Sequence, residues 1–119
     1  MQIQQVNQHE NQQVLAAVRK YFSKRSEAQN STQTTNLMMS LLASINRTLE
    51  PGATVPLVEL VNNGATYYDP SSNVIYLSNI DGSADVELLE EYAYGSLRMT
   101  SENANEWALK LINESGSVQ

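Results

Sequence analysis

The residue pattern predicts an α+β domain: two N-terminal helices, a small antiparallel three-stranded sheet and two C-terminal helices. Three observations carry this expectation. Apolar residues recur at one-three-four spacing through the first half of the chain. A segment rich in β-branched residues, broken by turn residues, spans 55–78. Helical spacing then returns and continues towards the C-terminus.

Residues 1–9 are rich in Gln and Asn and read as a flexible tail, with one domain over 10–119. From Glu10, the residues Val14, Leu15, Val18, Tyr21 and Phe22 form the apolar face of a first helix. Arg19, Lys20, Lys24 and Arg25 lie mostly off that face and read as its solvated basic side. Leu37, Met38, Leu41, Leu42, Ile45 and Leu49 form the stripe of a second helix, with Thr34 or Thr35 as cap and Pro51-Gly52 as stop. That stripe reads as core, and its width leaves a homodimer seam open.

"TVPLVELV", "ATYYD" and "VIYLS" read as the three strands of a meander, with "NNG" and "DPSSN" as turns. Pro56 suits the start or the edge of its strand, because it cannot donate a ladder hydrogen bond. Ser83 or Asp85 caps the third helix, which carries Leu88, Leu89, Tyr92, Leu97 and Met99, and Gly95 weakens it near its end. A last helix starts at Ser101 with Ala104, Trp107, Ala108, Leu111 and Ile112 as its stripe, and Gly116 serves as its stop.

Composition excludes several chemistries. With 119 residues the expectation is one domain, and with no cysteine there is no disulfide, thiol nucleophile or cysteine-ligated zinc. The opening residues lack the basic and apolar regions of a targeting segment, and no apolar run suits a membrane span, so the expectation is a soluble cytoplasmic chain with no membrane partner. Thirteen acidic residues against seven basic ones give a net charge of −6, which disfavours direct nucleic-acid binding, since such affinity rests on neutralising phosphates. His9 is the one histidine and reads as a surface residue, so a catalytic triad alongside a metal site is ruled out. No phosphate loop, nucleophile elbow or EF-hand spacing is present. The expectation is no cofactor and no metal.

The stretch "ELLEEYAYGSL", Glu87 to Leu97, holds the candidate site. Glu90 and Tyr94 are four apart and share a helix face, while Glu91 points about 100° round. Adjacent helical carboxylates either form a solvated face or bind a hard cation or do acid–base work.

Together, "ATYYDPSSNVIYLS", "ELLEEYAYGSL" and "SENANEWALKLI" resemble the minimal zincin core, in particular the ImmA/IrrE-type metallopeptidases, over about 55–113. In that family an edge strand precedes a helix bearing His-Glu-x-x-His, and a later helix carries an Ala-Asn, aromatic-Ala and paired-aliphatic motif. The resemblance sets "VIYLS" on the edge strand and Glu91 on the catalytic glutamate. It sets Ala104, Asn105, Trp107, Ala108, Leu111 and Ile112 on the later motif. Glu90 and Tyr94 stand where the two histidines belong, and the third ligand falls on Asn103 or near Glu102.

Replacing two imidazoles by a carboxylate and a phenol removes most zinc affinity, so the resemblance implies a pseudoenzyme. A hydrogen bond from the Tyr94 hydroxyl to Glu90 would take the metal's structural place. Three functions then stand open. The first is a non-catalytic regulatory protein that binds a protein partner, with Tyr67, Tyr68 and Tyr76 as a partner surface and Glu90, Glu91, Tyr94, Glu102 and Asn103 as a relic or binding site. The second is a small acidic inhibitor, encoded by a phage or mobile element, of a host defence or nucleic-acid-binding protein. The third is a hydrolase with a metal held by Glu90, Glu91 and Glu102.

Overall fold

The computed structural model describes residues 8–61, 64–81 and 83–115, with side chains from Gln12 onward. The order is α1 (Gln8–Arg25), α2 (Ser31–Leu49), β1 (Leu57–Leu60), β2 (Tyr67–Asp69), β3 (Val74–Leu77), α3 (Ala84–Gly95) and α4 (Ser101–Glu114). The α+β class is as the pattern predicts. Of the expected tail, 1–7 lie outside the described residues, while Gln8 and His9 already belong to α1. Gly116 also lies outside them.

Helical periodicity translates directly into burial. Val14, Leu15, Val18 and Tyr21 of α1 pack with Met38, Leu41, Leu42 and Ile45 of α2 in one core. Complete burial of a side chain such as Leu42 or Ile45 contributes about 1.5–3 kcal/mol. The cap of α2 is Asn30, not Thr34 or Thr35: its Oδ1 accepts the Gln33 N–H at 2.9 Å, and Thr34 is buried one turn inside the helix. At the other end, Asn46 Nδ2 donates to the Ala53 carbonyl at 2.8 Å across the Pro51-Gly52 turn, where Gly52 takes φ +92°. Thr100 caps α4 by accepting the Asn103 N–H at 3.1 Å.

The sheet departs from the expected antiparallel meander. Its strand order is β1-β3-β2: β1 runs parallel to β3, and only β2 runs antiparallel to it. "VIYLS" is therefore the central strand and not the edge. The reason lies in its own residues: Val74, Ile75 and Leu77 are all buried, as suits a strand flanked on both sides. The β2–β3 hairpin does form at "DPSSN", where the Asp69 carboxylate accepts the Ser71 N–H at 3.0 Å and the Ser72 hydroxyl at 3.0 Å.

The helices cover one sheet face. Val58, Ile75 and Leu77 face the core formed by α1, α2 and α3, with Tyr68 packed against it. The other face carries two cross-sheet rows set by the register, Leu57–Val74–Asp69 and Glu59–Tyr76–Tyr67.

A polar joint ties α1 to α3. The Asp85 carboxylate accepts from the Tyr21 hydroxyl and from Arg25 Nε at 3.0 Å, and Arg25 Nη2 donates to the Ile80 carbonyl at 2.9 Å. Arg25 is thus removed from the solvated basic face, because it reaches a carboxylate 60 positions away. Asp85 is not the helix cap, and Ser83, at the cap position, makes no side-chain capping bond. Burial first, then the neighbouring Asp85, hold the Tyr21 phenol far above its ordinary range.

Candidate functional site

Helix α3 places its polar residues on two faces. Glu87, Glu91 and Gly95 are spaced four apart and turn towards β2. The Thr66 hydroxyl donates to Glu87 at 3.2 Å, and the Glu91 carboxylate lies beside the Tyr68 backbone N–H. At Gly95 the ring of Tyr68 lies so close that a Cβ there would sit 2.6–2.7 Å from three ring carbons. Glycine is therefore required by the approach of Tyr68, a reason beyond the end of the helix. The Tyr68 hydroxyl in turn donates to Asn73 Oδ1 at 2.7 Å.

Glu91 is the perturbed group of the site. Partial burial raises its carboxyl above the ordinary range, the Tyr68 N–H opposes this, and the charges of Glu90 and Glu87 add to the rise. Such a shift suits a general base, but the carboxylate faces the backbone of strand β2.

Glu90 and Tyr94 occupy the other face. Glu90 accepts from the Asn105 side chain of α4, in place of the expected bond from Tyr94. Asn105 was legible only as part of the Ala-Asn motif, and no spacing rule marks it as a partner of Glu90. Tyr94 stands 51% exposed. Tyr92, inside the same motif, is fully buried and donates to Asn46 Oδ1 at 2.7 Å, a core contact that joins α3 to α2.

Glu102 and Asn103 lie exposed in the first turn of α4 and do not join Glu90 and Glu91. Among the described residues no three of His, Cys, Asp and Glu come together as a metal-ligand group, so the ligand set Glu90, Glu91 and Glu102 does not converge. The cause is helical geometry, with Glu91 turned to β2 and Glu90 to α4. The tyrosines also divide. Tyr67 and Tyr76 pair on the open sheet face with ring centroids 5.2 Å apart, and Tyr67 is 50% exposed. Tyr68 points to the inner face and is half-buried, so it leaves the expected partner surface. Among the described residues no helix is long and apolar enough to cross a membrane. No family model, no curated protein and no solved structure matches the chain.

Proposed function

We propose that this chain is a non-catalytic, cytoplasmic regulatory protein that acts by binding a protein partner, on a scaffold of zincin-like ancestry. The observation that carries the reading is the division of polar and aromatic groups. Glu90 and Glu91, at the positions a zincin uses for metal and chemistry, are both engaged by neighbouring elements. The Tyr67–Tyr76 pair, by contrast, stands on a sheet face that, among the described residues, no helix covers, together with exposed Leu57 and Glu59. Tyrosines on an open apolar surface are favoured at recognition sites, because a rigid ring contributes large contact area and a hydroxyl.

The test is site-specific photocrosslinking in extract of the protein's own host, with the probe at Tyr67, at Tyr94 and, as control, at Lys110 of α4. The reading expects one discrete adduct from Tyr67 that Lys110 does not give. The hydrolase alternative makes a different prediction: stoichiometric metal in protein purified without chelator, lost in Glu91→Gln, together with peptide cleavage. That result, or the absence of any adduct at Tyr67 and Tyr94, sinks the proposal.

A further inference from the structure

The two edges of the sheet differ in what covers them. At β2 helix α3 lies against the strand, with Glu91 facing the outward N–H of Tyr68 and the Tyr68 ring pressed on Gly95. At β1, among the described residues, there is no such cover. The Leu57 N–H donates to the Asn73 carbonyl at 3.2 Å and the Val61 N–H to the Leu77 carbonyl at 2.9 Å, so the odd-numbered residues face β3. Strand geometry then turns the N–H and C=O of Val58 and Leu60 outward. Among the described residues these groups have no hydrogen-bond partner. Beside them lies an open cleft of about 280 Å³ between the edge and the start of α2, lined by Ser31, Thr32, Thr35, Val58, Glu59 and Leu60.

We infer that β1 is a docking edge on which an extended, basic peptide segment of a partner protein adds as a fourth strand. This deepens the proposed function and rests on it, since it names the partner's chemistry. The backbone donors and acceptors of Val58 and Leu60 require an extended chain, because an added strand satisfies alternate N–H and C=O groups. The outer-face neighbours on the edge are Glu59 and Leu57, the latter 55% exposed. They select a cation and an apolar residue two apart on the incoming strand. Its other face meets the hydroxyl-lined cleft, which suits small polar side chains.

A second copy of the chain fits less well. The two antiparallel β1–β1 registers of fullest overlap set Glu59 against Glu59 or against Leu57, and both join chains of net charge −6.

The probe is the labelled heptapeptide acetyl-Lys-Thr-Val-Thr-Lys-Thr-Val-amide, with a version carrying Glu for both Lys as its control. Binding is followed by fluorescence anisotropy, and amide shifts of the ¹⁵N-labelled chain locate the site. The basic peptide is expected to bind about tenfold or more tightly than the acidic one and to shift the Val58 and Leu60 amides. Glu59→Lys should reverse the preference. Leu60→Pro removes an outward N–H without touching the β3 ladder and should abolish binding, with circular dichroism confirming the fold.

The inference is overturned by equal affinity for the two peptides, by shifts confined to Tyr67 and Tyr94, by no binding at millimolar concentration, or by self-association through β1 that Leu60→Pro abolishes. Host adducts at Tyr67 with any of these outcomes leave the regulatory reading standing and remove the docking edge alone. Loss of the adducts removes the regulatory reading itself.

Discussion

The closed edge at β2 and the open edge at β1 solve the same problem in opposite ways. A terminal strand exposes unpaired backbone groups, and proteins usually blunt it. At β2 the cover comes from α3: a carboxylate facing the Tyr68 N–H, and a glycine that lets the Tyr68 ring reach the helix. At β1 the defences are weaker: Pro56 precedes the strand, Glu59 adds one charge, and the strand is only four residues long. The partly buried Glu91 carboxylate faces the β2 edge. On the proposed reading, one helix position has passed from chemistry to architecture and recognition lies on another part of the sheet.

The contrast can be broken hardest at Gly95. Gly95→Ala places a methyl group against the Tyr68 ring, and overpacking of this kind costs about 1–3 kcal/mol against a helix-propensity gain of about 1. A net loss of up to about 2 kcal/mol is expected in urea unfolding. A net gain would mean that Tyr68 does not press on α3. Next comes Asn105→Ala, which strips Glu90 of its α4 partner and should cost about 1 kcal/mol. Peptide binding at β1 and protection of the Tyr68 amide should survive it, and loss of either would tie the two faces of α3 together.

Glu91→Gln should act in the opposite direction. A carboxyl raised in the folded state binds its proton more tightly there than in the unfolded chain. Between the raised folded value and the ordinary carboxylate range the folded state holds more protons, so stability increases as pH falls. At neutral pH the charged Glu91 is a burden that glutamine removes while still accepting from Tyr68. The expected gain is below about 1 kcal/mol, since the group is partly solvated, and the mutant's stability profile should be flatter over that window. An unchanged profile would contradict the burial of Glu91. Smallest is Leu60→Pro, expected to change stability by less than about 1 kcal/mol, because its N–H faces solvent. A large loss would show that the open edge is already paired.

Local pattern made the helices legible. Val14, Val18 and Tyr21, or Met38, Leu42 and Ile45, recur at helical spacing and are all buried. Sheet order was not legible in the same way, because strand pairing is decided by long-range competition. "NNG" suggested a hairpin, yet the place beside β1 is taken by β3. One signal was present and outweighed: the nearly all-apolar "VIYLS" is what a central strand looks like. At the site, the helix of Glu90, Glu91 and Tyr94 could be read directly, and so could the splitting of Glu90 and Glu91 onto two faces. Their partners could not. Tyr68 meets Glu91 through a backbone N–H, which no side-chain motif records, and Asn105 meets Glu90 only once α3 and α4 are packed.

Amide hydrogen exchange at the two edges tests the contrast most directly. The Tyr68 amide should exchange slowly and lose protection in Glu91→Ala. The Val58 and Leu60 amides should exchange rapidly in the free chain and slow when the basic heptapeptide is added. Protected Val58 and Leu60 amides without peptide, or a Tyr68 amide indifferent to Glu91, would contradict the assignment of one closed and one receptive edge.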